Sequence, residues 1–175
     1  MRTDRWEVVR RGRLLFIEHW NKPEPVSGFL FQETLRSEPF WMLVACSLVN
    51  LTTWQQAEPA LETLRERYPA IADLALAQPE DLHPILQPLG LFRRRAISLV
   101  GMAQGWLRDS GPRGTMDVYR LPGCGKYAAD SWAIFIEGRT NVQPTDGKLL
   151  WYLANQRSLK DDQPKDPQRK RPADP

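Results

Sequence analysis

Leu121-Pro122-Gly123-Cys124-Gly125-Lys126-Tyr127-Ala128-Ala129-Asp130-Ser131-Trp132 is the stretch that decides the fold. It reads as a tight turn running straight into a helix. Pro122 cannot continue a preceding helix. Gly123 and Gly125 bracket a turn where a positive φ or a close backbone approach is expected. Beyond Gly125, the apolar residues Tyr127, Ala128, Trp132, Ala133, Phe135 and Ile136 recur at helical spacing. Such a turn leaves backbone N–H groups pointing out of a helix N-terminus, which suits a phosphate oxygen. The same pattern also serves as a plain connection between two helices.

Downstream, Gln143-Pro144-Thr145-Asp146-Gly147-Lys148-Leu149-Leu150 reads as a loop whose Thr145 or Asp146 caps a last helix to about Gln156. Upstream, Phe92 to Arg108 reads as a long helix with Ala96, Leu99, Val100, Ala103 and Leu107 on one side. Gln87-Pro88-Leu89-Gly90-Leu91 is a turn. Pro79-Glu80-Asp81-Leu82 opens one helix, and 70–77 forms a shorter one. Thr53-Trp54-Gln55-Gln56 is a capping box for a helix to about Tyr68, in which Pro59 should cost a bend or a hydrogen bond. Phe40 to Val49 is apolar nearly all round, the mark of a buried central helix, with Ser37 as N-cap and Pro39 in the first turn. No strand pattern stands out after residue 30. The expected class is all-α, with about eight helices and short links.

The division expected is a domain over 27–157, an N-terminal arm or small hairpin over 1–26, and a disordered polar tail over 158–175. A chain of 175 residues with 42% hydrophobic content can bury a real core. No apolar run is long enough to span a membrane, and no signal-type cleavage site follows the charged start, so an intracellular protein is expected. A net charge of +3 permits nucleic-acid binding without requiring it. Arg93-Arg94-Arg95 and Arg169-Lys170-Arg171 are runs that ordinarily sit on solvated faces. Two cysteines and two histidines, far apart, offer no zinc or disulfide framework; Cys46 reads as core.

Leu121-Pro122-Gly123-x-Gly125-x-x-Ala128-Ala129, then a proline-containing loop and an aspartate 21 residues after Gly125, resembles the helix-hairpin-helix-GPD superfamily of DNA glycosylases. The segment from Phe29 to Gln156 looks like the thymine/uracil mismatch branch, which includes the glycosylase domain of the vertebrate methyl-CpG-binding thymine glycosylase. The likeness rests on Gln32-Glu33-Thr34-Leu35, Pro39, Asn50-x-Thr52, Pro88-Leu89-Gly90-Leu91, Gly125-Lys126-Tyr127, Asp130-Ser131 and Pro144-x-Asp146-x-Lys148-Leu149.

The resemblance implies a helix-hairpin-helix glycosylase fold of two helical lobes with a cleft between them. It implies a monofunctional glycosylase of base excision repair that flips thymine or uracil out of mismatches with guanine and releases it. The partner is double-stranded DNA with a mismatched or damaged base; no membrane partner and a monomer are expected. No cofactor is required. A monovalent cation at the hairpin is in keeping with the family, and an iron–sulfur cluster is not, because no cysteine follows Cys124.

By the same likeness Asp146 is the catalytic residue. Positive charge develops on the sugar as the glycosidic bond breaks, and an ionised carboxylate stabilises it. Asp146 also serves as a plain helix cap. Gln32 would read the flipped base, accepting from N3–H of thymine or uracil; it also reads as a cap for the next helix. Tyr127 would wall the pocket, or be a core aromatic. In the bifunctional branch a lysine at that place forms a Schiff base. Here Lys126 stands one residue earlier, which turns its side chain by about 100°, so base removal without strand cleavage is expected. Gly123, Gly125, Lys126 and Lys148 would meet the DNA backbone, the lysines otherwise solvent. Leu51 occupies a finger position and would wedge into the stack, while Leu89 and Leu91 would probe the opposite strand, with backbone carbonyls there able to read guanine. All three leucines also suit loop-to-core contacts. A bifunctional glycosylase/lyase and a non-catalytic helix-hairpin-helix DNA-binding module are the competing readings.

Overall fold

The computed structural model describes residues 30–109 and 117–161, and no strand occurs among them. The N-terminal arm and the loop around Gly111-Pro112-Arg113-Gly114 lie outside the described residues, as does the tail beyond Asp161. The described residues fall into two units, one up to Pro144 and a second from Thr145 on.

The first unit is built on α2, Pro39–Leu48, whose residues from Phe40 to Leu48 are all buried. An all-round apolar sequence has no solvent face to offer, so α3, α6 and α7 pack against it. Its N-cap is Glu38 rather than Ser37, and Pro39 takes the first helical position, where its missing N–H costs nothing. Before it comes the one-turn helix α1, Phe31–Thr34, whose start is fastened by Leu30 N donating to Glu33 Oε2 at 3.1 Å. Helix α3, Trp54–Arg67, starts at the expected capping box: Thr53 Oγ1 accepts from Gln56 N at 3.3 Å and Gln56 Oε1 accepts from Thr53 N at 3.0 Å. Such a cap stabilises by ~1 kcal/mol. The helix runs through Pro59, which denies Gln55 O its donor four residues on.

Next come α4, Ile71–Leu76, a 3-10 turn at Pro79–Leu82, α5, His83–Leu86, and a second 3-10 turn at Gln87–Leu89. Helix α6, Phe92–Asp109, buries Ala96, Leu99, Val100 and Ala103 as its spacing predicts, while Leu107 is half exposed. A last 3-10 turn, Val118–Arg120, is capped by Asp117, which accepts from Tyr119 N. Then come the hairpin and α7, Lys126–Phe135.

The hairpin is a turn in which Cys124 N donates to Leu121 O at 3.1 Å and Gly123 sits at φ +82°. Proline followed by a positive-φ glycine is the type II signature. Two glycines of α6, four residues apart and so on one face, let the turn come close. A Cβ on Gly101 would stand 3.1 Å from Pro122 Cγ, and one on Gly105 2.9 Å from Leu121 Cδ2.

In the second unit α8 spans Gly147–Asp161. It runs past both the expected end near Gln156 and the expected boundary at 158, so residues 158–161 are helical rather than part of a disordered tail.

Candidate functional site

Gln32 is 1% exposed although it is polar, and it lies on a helix only one turn long. Gln32 on α1 and Arg36 just after it both bond α7. Arg36 Nε donates to Phe135 O at 2.7 Å, taking one of the carbonyls left over at the helix end. Gln32 Nε2 donates to Tyr127 Oη at 2.7 Å and to Ser131 Oγ at 3.3 Å. Tyr127 and Ser131 are four residues apart, one turn of α7, so both hydroxyls face the same amide. The structure therefore brings Gln32 and Tyr127 together and adds Ser131, which sequence reasoning had not assigned a role. The other end of the amide is different: Oε1 is buried and accepts no hydrogen bond among the described residues. A buried carbonyl without a donor costs ~1–3 kcal/mol, so this oxygen is a standing demand for a donor.

Lys126 sits at the first position of α7, where the sequence suggests a phosphate or solvent contact. Instead its ammonium reaches Asp130 Oδ1 at 3.0 Å and Oδ2 at 2.8 Å, and donates to Gln143 O at 3.0 Å. Asp130 is buried, and a carboxylate out of water needs a counter-charge, which the lysine one turn back supplies. The ammonium thus ties the hairpin helix to the loop that precedes Asp146 in the chain.

The three leucines separate. Leu89 is buried at 7% exposure, so its side chain is a core contact and offers no surface to a partner. Leu51 and Leu91 are 58% and 53% exposed. They are also the two non-glycine residues at positive φ among the described residues, at +66° and +50°. An exposed leucine held in the left-handed region costs ~1–3 kcal/mol of backbone strain and persists only where its surroundings impose it.

Arg95 bonds the backbone next to both leucines, at Asn50 O and Gly90 O. The basic triplet suggests a solvated face, and Arg93 and Arg94 are exposed, but Arg95 is 5% exposed. Its Nε donates to Gly90 O at 2.9 Å, Nη1 to Ser47 O at 2.7 Å and Leu48 O at 3.1 Å, and Nη2 to Asn50 O at 2.7 Å, with a longer contact to Leu89 O at 3.5 Å. Burial lowers its pKa from the ordinary arginine value. None of the ion pairs among the described residues includes it. The charge is met instead by carbonyls at the C-terminal end of α2, where a cation is favoured. The signal was present in the sequence: Arg95 stands four residues before Leu99, on the core face of α6. Its bonds also engage the carbonyls of Leu89 and Gly90, each of which keeps a second lone pair.

At the hairpin, Gly123 needs to be glycine. Its φ is positive, and a Cβ would lie 3.1 Å from both Ser47 Oγ and Ser98 Cβ. Gly125 does not. Its φ is −103°, and an added Cβ meets nothing within 4 Å. It is the N-cap of α7, and no side chain caps that helix. Cys124, between them, is buried, and burial pushes its thiol up to about 12 from 9.0. Its unfolded form loses a proton above pH 9 while the folded form keeps it until about pH 12. The stability it lends is thus full below pH 9 and is lost as pH rises. Relative to a Cys124→Ala protein, unfolding free energy is expected to fall by ~1.4 kcal/mol per pH unit across that window. Denaturant titrations of both proteins between pH 8 and pH 11 check it.

In the second unit, Asp146 is the N-cap of α8. Its Oδ1 accepts from Lys148 N and Leu149 N, both at 3.0 Å, and its carbonyl accepts from Leu150 N. The expected capping role is therefore present. Both side-chain bonds fall on one oxygen, and Oδ2 accepts none among the described residues. Lys148 is exposed. No group of three or more His, Cys, Asp or Glu that could hold a metal occurs among the described residues, and no helix there is long and apolar enough to cross a membrane.

The model of one family, the HhH-GPD superfamily base excision DNA repair proteins, matches residues 48–171. The chain is 31% identical over 124 residues to a methyl-CpG-binding domain protein 4-like protein of Arabidopsis thaliana, covering 70% of this chain and 27% of that protein. It is 35% identical over 95 residues to a thymine/uracil-DNA glycosylase of Pyrobaculum aerophilum, covering 53% and 41%. Among solved structures, a thermostable thymine-DNA glycosylase superposes with a TM-score of 0.56 at 20% identity, over 76% of this chain and 63% of that one. The all-helical architecture is thus that of this fold. The chain spans less than two thirds of each of these proteins.

Proposed function

We propose that this chain, which belongs to the HhH-GPD superfamily of base excision DNA repair proteins, is a monofunctional DNA glycosylase that releases thymine, uracil or a 5-substituted uracil from mismatched duplex DNA. The observation that carries the reading is the unmatched Oε1 of Gln32. The Nε2 side of the amide is spent on Tyr127 and Ser131, so a base presented to Gln32 meets an acceptor. Thymine and uracil bring N3–H to it. Cytosine brings a lone pair and leaves both acceptors unsatisfied, a penalty of ~1–3 kcal/mol.

The base reaches this amide only if the nucleotide leaves the stack, which costs least where pairing is already poor. Leu51 and Leu91 supply apolar tips that can fill the vacated space. Neither side chain can hydrogen-bond an orphaned guanine. Preference for a mismatch with guanine therefore comes mainly from the lower cost of opening such a pair. Gly125 leaves the start of α7 open to a phosphate. Asp146, its Oδ1 fixed by two backbone donors, is the carboxylate assigned to offset the charge that develops on the deoxyribose.

Lys126 argues for base release without strand cleavage. A Schiff base needs the amine at the sugar, and Lys126 Nζ is engaged instead by the Asp130 carboxylate and Gln143 O. No step of the reading passes through a metal or a cluster. A monovalent cation at the hairpin would share carbonyls already in use, since Val118 O accepts from Leu121 N and Leu121 O from Cys124 N; each carbonyl keeps a second lone pair for it.

Incubation with duplexes carrying G·T, G·U, G·hydroxymethyluracil, A·U or G·C, and with single-stranded uracil, followed by alkali, tests the reading. Release is expected from the G·T and G·U duplexes and not from G·C. Nicking before alkali, or borohydride trapping on Lys126, would favour a lyase; binding with no release from any of them would favour a DNA-binding module. Tyr127→Phe is expected to weaken the hold on the Gln32 amide. Release from G·U should then slow about tenfold, the worth of one buried hydrogen bond, in single-turnover measurements.

A further inference from the structure

Two loops far apart in the chain share one fastening. The first follows α2 and carries Leu51 at its tip; the second precedes α6 and carries Leu91. The Arg95 guanidinium bonds Ser47 O and Leu48 O at the end of α2, Asn50 O on the first loop and Gly90 O on the second, all at 3.1 Å or less. A guanidinium has five N–H groups in a rigid plane, and here they are divided between the two loops. Both tips carry left-handed leucines, a backbone state that needs outside enforcement. A lysine at 95 would keep the charge but, as a single point with three donors, could not span both sets of carbonyls.

We propose that Arg95 is a positioning residue that sets Leu51 and Leu91 in one fixed relation, so that they enter the DNA as a single wedge rather than as two independent contacts. The proposal rests on the glycosylase reading above. It adds a residue that touches neither base nor sugar yet governs how readily the base is extruded.

The test uses the full chain with two substrates: a duplex with uracil opposite guanine and 2-aminopurine beside it, and the same duplex with uracil opposite an abasic site, where no pair has to be opened. For Arg95→Lys, the 2-aminopurine signal and single-turnover release on the paired substrate are expected to fall about tenfold, the size of coupling that residues in contact show. Release from the abasic-opposed substrate should stay close to wild type. Equal losses on both substrates would make Arg95 merely structural and overturn the proposal, as would no loss on either. If Arg95→Lys does not fold, a cycle of Leu51→Ala, Leu91→Ala and the double variant in the wild-type background decides. A double variant no worse than the poorer single one supports one wedge, and multiplied losses overturn it. Wild-type protein that releases uracil from neither substrate would defeat the glycosylase reading itself. Normal wild-type release with an unaffected Arg95→Lys defeats only the present proposal.

Discussion

Asp146→Asn is expected to stop base release while leaving the protein folded and able to bind DNA. In the proposed reaction the wild-type carboxylate has two separable roles. As a cap, Oδ1 accepts from Lys148 N and Leu149 N, and an asparagine oxygen caps as well as an aspartate oxygen. As a charge, it offsets the cation that grows on the sugar, and an amide cannot. Losing a preorganised electrostatic partner of this kind costs ~10²–10³-fold in rate. Single-turnover release from a G·U duplex reads the chemistry, a thermal melt reads the cap, and affinity for an abasic duplex reads the binding surface. Asp146→Ala should add a loss of ~1 kcal/mol in stability, because the cap goes too. Release by Asp146→Asn near the wild-type rate would move the chemistry to another residue.

The second large effect is a contrast between two glycines two residues apart. Gly123→Ala should destabilise the fold by ~1–3 kcal/mol, since the residue is held at φ +82° with Ser47 and Ser98 in the way of a Cβ. Gly125→Ala should leave the melting temperature nearly unchanged, because its φ of −103° suits any residue and the added methyl meets no protein atom. Its cost appears on binding. A methyl at the uncapped start of α7 stands where a phosphate oxygen would approach, and DNA affinity should fall about tenfold, the loss of one charge-assisted hydrogen bond. Thermal melts and a binding isotherm on one duplex check both halves. Unchanged affinity for Gly125→Ala would mean that the turn does not grip the backbone.

The features that could be read from the sequence were those set by local chemistry. Pro122-Gly123 dictates a type II turn whatever surrounds it. The unbroken apolar run from Phe40 to Leu48 can only be buried, and Thr53 with Gln56 can only be a cap. What escaped depended on partners far along the chain. Arg95 resembles Arg93 and Arg94 until α2 and the turn at Gly90 are in place to offer it carbonyls. Leu89 and Leu91 read alike, but the 3-10 turn drives the first inward, and the positive φ at Gly90 and Leu91 turns the second out. Gly101 and Gly105 gave no local signal of their own; they are where the hairpin comes closest to α6. Lys126 was legible as a cation but not as the answer to a carboxylate one turn ahead. Asp146 is the candidate whose local role as a cap was legible outright, while its chemical role still rests on the family.

The two left-handed leucines carry a consequence for the history of such a chain. Glycine or asparagine at 51 or 91 would sit in that backbone state at less cost than leucine. Under selection for heat tolerance alone, both tips should drift toward those residues, and the protein would grow sturdier while losing the apolar tips that the proposed reaction needs. Their retention as leucine would then mark a lineage in which repair, and not endurance, sets fitness.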